Sequence, residues 1–380
     1  MVGMMLTDEE ILLRTTVRDF AEKQLKPNAS ALDQNEEFPS ENIRGLSELG
    51  LFGLTVDERY GGNGGTTRQL ALTIEEIARG CGSTSVVYIA HLSLCTHFIE
   101  QFGTEEQKKK YIPDLARAEK IGAFALTEQG AGSDAAAISL RAKRHDSFYE
   151  LNGTKLFTTN ALEAETFVVL ATLDPSAGTR GIIALVVTRD VEGFQINPQH
   201  GKMGMRATST AEMLFDNCLL PVGNRLGGEG TAFGMTMRIL DGSRVAVAAQ
   251  CVGIAQAAYE ASVDYVQQRH AFGQELSKFQ SVQWTIADMA TNIEAARLLT
   301  MHAATMKDRN LGYSREASMA KLFASRVAVE AADKAVQVHG GSGYFAPTVV
   351  ERLYRDAKLT EIYEGTSEVQ RMVISKSLLE

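Results

Sequence analysis

The stretch FALTEQGAGSDAAAISLRA, residues 124–142, decides how the chain is read. Its run Gly130-Ala131-Gly132-Ser133-Asp134-Ala135 satisfies the dinucleotide fingerprint G-x-G-x-x-[GA], which belongs early in a strand-turn-helix unit. The residues after the turn do not read as a helix. Ile138, Leu140 and Ala142 alternate with Ser139, Arg141 and Lys143, the period of a half-buried strand, and the chain before the turn is helical in pattern. A doubly wound sheet is therefore a poor fit. Taken alone, the turn reads either as a strand end or as a phosphate or cofactor contact.

Three segments with different periods flank and include this turn. Residues 1–120 carry successive helix starts: a capping box of Thr7 with Glu10, a helix opened by Ser40 and stopped by Gly50, and a second box of Thr104 with Gln107. Residues 121–228 read as short strands, with FYELNGTKLF placing Asn152-Gly153 as a hairpin turn and TFVVLATL and GIIALVV as further strands. Residues 229–380 return to helix, with no proline between Pro221 and Pro347 to break it. Val245, Ala248, Val252, Ala255 and Tyr259 repeat at three- and four-residue steps, as do Met289, Ile293, Ala296, Leu299 and Ala303, and again Ala317, Ala320, Ala324 and Val327. The expected fold is α+β: an N-terminal helical domain, a central antiparallel β-barrel or sandwich and a C-terminal helical bundle.

Composition narrows the function. With 380 residues, 44% of them hydrophobic, the chain can hold two or three units around a large core. A net charge of -9 gives no footing for nucleic acid. The uncharged run over residues 80–99 is too rich in Ser, Thr, Gly and His to span a membrane, and reads as a buried helix. The opening MVGMMLTDEE lacks the flank and core of an export signal, so a cytoplasmic setting is expected, or the mitochondrial matrix for a mature organellar form. Cys81, Cys95, Cys218 and Cys251 show no paired spacing, and no histidine spacing gathers a metal. His91 and His97, six apart, read as satisfied core or interface residues.

Three other stretches stand out. QRHAFGQELSKFQ (residues 268–280) puts Arg269 between two bundle helices, where it is either a phosphate clamp or a solvated charge. QVHGGSGY (residues 337–344) ends a helix in glycines. In TEIYEGTSEVQ (residues 360–370) a buried-looking Ile362-Tyr363 pair leads into Glu364, then Gly365, with Ser367 and Gln370 as a capping box. Gly365 supplies the freedom to aim the Glu364 carboxylate, whereas Glu361 and Glu368 read as solvated acids.

The three-segment order, with TEQGAGSD, QRHAFG, QVHGGSGY and IYEGTSEVQ in sequence, resembles the acyl-CoA dehydrogenase family of flavoproteins over nearly the whole chain. The resemblance implies a four-helix bundle at the C-terminus, a homotetramer built as a dimer of dimers, and FAD-dependent formation of a 2,3-double bond in a fatty acyl-CoA. It implies Glu364 as the base that removes the α-proton. Some relatives carry the base just before the arginine of an Asp-x-x-Arg motif. That position is Ser243 here, which aligns the chain with the short- and medium-chain types. Asp241 and Arg244, with Ser133 and Gly365, are then substrate-side. The implied flavin contacts are Phe124, Leu126, Thr127, Gly132, Ser133, Phe157, Thr158, Thr159, Thr366 and Glu368. Arg269, Phe272, Gln280, Gln337, Gly340 and Gly341 are implied to reach the flavin of a neighbouring subunit. Electrons are expected to pass to electron-transferring flavoprotein. Phe157 stands where most relatives carry tryptophan beside the flavin, which motivates an oxygen-reacting oxidase or monooxygenase as an alternative. A non-catalytic flavin- or CoA-binding protein is a third reading, opposed by the intact motifs.

Overall fold

The computed structural model describes residues 6–380. Residues 1–5, on which the reading of a missing export signal partly rests, lie outside the described residues. Helices α1 (Asp8–Phe20), α2 (Lys26–Asn35), α3 (Ser40–Glu48), α4 (Thr67–Gly80), α5 (Gly82–Ile89), α6 (His97–Phe102) and α7 (Glu105–Ala116) come first. Both expected capping boxes form, and Thr66 with Gln69 makes a third at the start of α4. Residues 80–99 are buried throughout, and among the described residues no helix is long and apolar enough to cross a membrane. His91 donates from Nε2 to the Leu115 carbonyl (2.9 Å) and accepts the Gly122 N–H at Nδ1 (3.0 Å), while His97 pairs with the Thr55 hydroxyl. Both are satisfied core residues.

Strands β1 (Ile121–Ala125), β2 (Arg141–Arg144), β3 (Phe148–Thr159), β4 (Ala164–Thr172), β5 (Ile182–Thr188), β6 (Phe194–Pro198), β7 (Thr210–Pro221) and β8 (Arg225–Leu226) form one sheet. Its order is β6-β7-β3-β2-β4-β5-β8, with β1 beside β4. Pairing is antiparallel except that β1 and β2 both run parallel to β4. The Asn152-Gly153 hairpin is not there. β3 runs straight through it, paired to β2 on one side and β7 on the other. The dipeptide instead sits at a bulge, where the Asn152 side chain accepts from the Asn217 N–H (2.9 Å) and Gly153 takes φ 136° against Leu140. Two partner strands outweighed the local turn preference.

The third segment holds α8 (Ala232–Gln268), α9 (Gln280–Asp308), α10 (Ser314–His339), α11 (Val349–Leu359) and α12 (Ser367–Leu379), with a short hairpin of β9 (His270–Ala271) and β10 (Gln274–Glu275) after α8. The alanine- and valine-rich stripes of α8 and α10 are buried against each other, and α4 packs on α8 from the N-terminal segment. Alanine and glycine allow this close approach. A Cβ placed on Gly253 would lie 2.2 Å from the Glu75 carbonyl oxygen of α4. Gly253→Val should therefore lower stability in chemical denaturation by about 1–3 kcal/mol or more. Gly312→Ala, where an added Cβ meets nothing within 4 Å, should leave the midpoint unchanged.

Candidate active site

Between α11 and α12 the chain turns through two left-handed residues, Glu364 at φ 56° and Gly365 at φ 94°. Gly365 has the expected freedom, but Glu364 carries the same strain itself, of order 1–3 kcal/mol for a non-glycine residue. Neither residue continues a helix, so their carbonyls need donors from elsewhere. The Lys321 ammonium donates to the Gly365 carbonyl at 2.8 Å, and Gln370 Nε2 donates to the same oxygen at 2.8 Å and to the Glu364 carbonyl at 3.3 Å. Arg244 Nε reaches the Glu364 carbonyl at 3.4 Å while its Nη1 pairs with Asp241 at 2.6 Å. At φ 94° any side chain on residue 365 would be strained, and a Cβ there would also crowd Gln370 Nε2 at 2.7 Å.

This turn revises the expected cap. Thr366, not Ser367, caps α12, its hydroxyl accepting the Val369 N–H, and Gln370 reaches back to carbonyls instead of completing a box. Ile362 is exposed, so the apolar pair is not buried as a unit; Tyr363 alone faces inward, its hydroxyl donating to Gln250. Glu368 is open to solvent, as its solvated reading requires, whereas Glu361 is half-buried and paired with Lys358.

The Glu364 residue is half-buried overall, yet its Oε2 is closed off from solvent and has no hydrogen-bond partner. Burial pushes this carboxyl up to about 7, against the pull of Arg244 and Lys321. The Ser243 hydroxyl, itself enclosed and unpaired, lies close enough to draw the carboxyl slightly down. The result is a carboxylate poised to exchange a proton near neutrality.

The sheet supplies a second group of residues. The turn after β1 is anchored by Glu128, whose carboxylate accepts from the Ser139 N–H and hydroxyl, the Leu140 N–H and the Lys155 ammonium (2.6 Å). Lys155, with no exposed surface, also donates to the Leu126 carbonyl at 2.9 Å, and the Thr127 carbonyl accepts the Leu156 N–H. This holds Leu126 and Thr127 against β3, while Phe124 lies in β1 paired with Val168 of β4. Gly130 and Gly132 meet nothing within 4 Å of where a Cβ would sit, and Ser133 is exposed, so the turn borders open space. A bulge between Lys155 and Thr158 turns Phe157 out of the sheet at φ 55° with 63% of its surface exposed. Thr158 is buried with an unpaired hydroxyl, and Thr159 is half-buried.

The two groups meet through α5. Asn160 donates to the Val87 carbonyl at 3.0 Å, and two residues earlier Ser85 accepts from Gln250, the partner of Tyr363. One helix thus fixes the end of β3 and the Glu364 turn to a common support.

The remaining candidates lie elsewhere. Arg269, Phe272, Gln280, Gln337, Gly340 and Gly341 are all exposed, Phe272 by 95%. Tyr265 stacked on His339 joins the C-terminal ends of α8 and α10, so Arg269 and the glycines share one end of the bundle. At ~1.5 Å per residue, roughly 37 Å of helix separates Arg244 from Arg269. A groove of about 680 Å³ beside α12 is lined by Thr366 and Glu368 together with Phe323, Arg326 and Arg371, but does not include Glu364.

Sequence reading missed Lys321, Glu128 and Lys155, and gave Gln370 only a capping role. Lys321 had a signal: it falls on the same helical face as Ala317 and Ala324, a charge in an apolar stripe.

Three acyl-CoA dehydrogenase family models match the chain. The acyl-CoA dehydrogenase N-terminal domain matches residues 7–119, the middle domain residues 123–218 and the C-terminal domain residues 228–379. The chain belongs to the acyl-CoA dehydrogenase family. It is 45% identical to the short-chain specific acyl-CoA dehydrogenase of Clostridium acetobutylicum, over 97% of this chain and 98% of that one. The solved butyryl-CoA dehydrogenase from Megasphaera elsdenii superposes with a TM-score of 0.97 at 41% identity, covering 99% of both chains. A chain in the solved structure reported as the electron transferring flavoprotein of Acidaminococcus fermentans does so with 0.97 at 43% identity, again over 99% of both.

Acyl-CoA dehydrogenases are oxidoreductases whose cofactor is FAD. The residues here fit that group: an outward aromatic at Phe157, an open glycine turn, and an unpartnered carboxylate oxygen at Glu364. Lys155→Met would leave the Glu128 carboxylate buried without its cation, a change that commonly costs about 3–5 kcal/mol. Denaturant unfolding should show that loss, and gel-filtered protein should retain less yellow flavin.

Proposed function

We propose that the chain oxidises a short-chain acyl-CoA thioester to the trans-2-enoyl-CoA, with Glu364 as the base. The observation that carries this is the Glu364 carboxyl, its Oε2 closed off and without a hydrogen bond, poised near neutrality on a turn through two left-handed residues. An α-proton beside a thioester is weakly acidic, so its removal needs a desolvated carboxylate held in place. Glu364 takes that proton while the β-hydrogen leaves as hydride to the opposite face. FAD, when bound, supplies the hydride acceptor. Thr127, Ser133 and Thr159 are assigned hydroxyl contacts to the flavin, with Phe157 as its outward aromatic, whereas the Thr158 hydroxyl is enclosed and leaves that residue its backbone alone; Asp241, Arg244, Ser133 and Gly365 are assigned to the substrate side. Thr366 and Glu368, on the groove beside α12, are assigned to the cofactor.

The acyl-chain class rests on the short-chain and butyryl-CoA relatives. Electron-transferring flavoprotein is the proposed acceptor, in keeping with the Acidaminococcus fermentans match. Arg269, Gln337, Gly340 and Gly341 stand at the C-terminal ends of α8 and α10, far along them from Arg244 and Lys321, while Phe272 lies in the β9–β10 turn and Gln280 opens α9. A second subunit's cofactor, in a homotetramer, is their proposed partner.

Glu364→Gln should keep bound yellow flavin but lose bleaching by butyryl-CoA by a factor of roughly 10² to 10⁴; bleaching at the normal rate would remove the base assignment. In the unaltered enzyme only the deprotonated carboxylate can act. The kcat/KM of bleaching should therefore fall tenfold per pH unit below an acid limb near 7. Peroxide formed in step with turnover in air would favour the oxygen-reacting alternative that Phe157 motivates.

A further inference from the structure

Lys321 sits in the middle of an alanine face on α10 with no exposed surface. A lysine so placed is costly unless its ammonium finds acceptors, and its hydrogen-bonded acceptor here is a backbone carbonyl, not a carboxylate. That carbonyl belongs to Gly365, the second residue of the left-handed turn that carries Glu364. We propose that Lys321 is a positioning residue for the dehydrogenation: its buried ammonium, 2.8 Å from the Gly365 carbonyl oxygen, holds the turn in the shape that presents the Glu364 carboxylate. The proposal rests on the reading of Glu364 as the base.

Two features distinguish Lys321 from a filler of the core. It is the donor that reaches the turn from α10, while Gln370 reaches it from α12 and Arg244 from α8, so three helices converge on two carbonyls. It is also a cation near an enclosed carboxylate that has no hydrogen bond at Oε2. The charged and titratable groups facing this pair are Arg244 and Cys251 from α8, Tyr363 and Glu361 from the turn, and Glu368 from α12. Burial holds the Cys251 thiol up at about 12 and the Tyr363 phenol well above its ordinary value, so both are neutral near pH 7. Glu361 is tied to Lys358 and Glu368 opens to solvent. Arg244 and Lys321 are therefore the two cations that favour the charged form of Glu364, and Arg244 is already shared with Asp241. Losing the Lys321 charge makes the carboxylate harder to form, which raises the pH at which the base becomes available.

The test uses the FAD-loaded enzyme with Lys321→Met and Lys321→Gln. The methionine removes both the donor and the charge; the glutamine keeps a donor for the Gly365 carbonyl without the charge. Lys321→Met should retain flavin, lower the plateau rate of flavin bleaching by butyryl-CoA by roughly 10-fold to 10²-fold, and move the acid limb to higher pH. Hydrogen exchange without substrate should quicken at the Ser367 amide, which bonds back to the Glu361 carbonyl across the turn. Lys321→Gln should recover much of the plateau and keep the displaced acid limb, a split that loss of packing alone would not produce. If Lys321→Met fails to fold, the acid limb of Lys321→Gln decides by itself. An unchanged limb and plateau in either variant overturns the proposal. Glu364→Gln run alongside separates the two readings. If it bleaches normally, the base assignment falls and the positioning role with it; if it is inert beside a wild-type-like Lys321→Met, only the positioning role falls.

Discussion

Two peptide carbonyls, those of Glu364 and Gly365, organise this site. A left-handed Glu364 costs of order 1–3 kcal/mol. A hydrogen bond to a charged donor returns about 1.5–3 kcal/mol. Lys321 and Arg244 are charged donors and Gln370 a neutral one, so the donors together outweigh the strain and the turn is the stable local structure. Each donor comes from a different helix. The turn therefore keeps its shape only while α8, α10 and α12 keep their mutual packing, which is why a carboxylate near the chain end depends on residues far upstream.

That packing depends in turn on contacts between segments. Asp308 at the end of α9 accepts the Thr67 and Arg68 N–H groups that open α4, supplying the negative charge that a helix N-terminus favours. Arg355 of α11 grips Asp33 of α2 through two nitrogens, at 3.0 and 2.6 Å, and also donates to the Met203 carbonyl. Asp356, enclosed beside it, accepts the Met205 N–H of the sheet segment. Bundle, sheet and N-terminal helices are thus joined by directional bonds as well as by apolar burial. Directional bonds fix orientation, which a cleft shared between segments requires.

Much of the layout was legible in the sequence because it is encoded locally. Thr7 with Glu10 and Thr104 with Gln107 mark helix starts whatever surrounds them, and the alanine stripes of α8 and α10 declare a buried face by period alone. The failures were equally local. Asn152-Gly153 favours a hairpin only while its strand lacks partners on both sides, and β2 and β7 supplied them. Ser367 with Gln370 satisfied a capping pattern, but Thr366 took the cap and Gln370 was drawn to carbonyls that no spacing rule reveals.

Local patterns along the chain set the succession of helices, strands and helices, and they marked Glu364 through the glycine beside it. Those patterns need only neighbours along the chain. What the tertiary structure decided was the state of that carboxylate: its enclosure, its proton affinity near neutrality, and the donors on its turn. Those depend on how closely Arg244, Lys321 and Gln370 approach two carbonyls, residues separated by up to 126 positions between 244 and 370. Electrostatic and hydrogen-bond energies fall off with distance in space, not along the chain, so only the fold could bring them together.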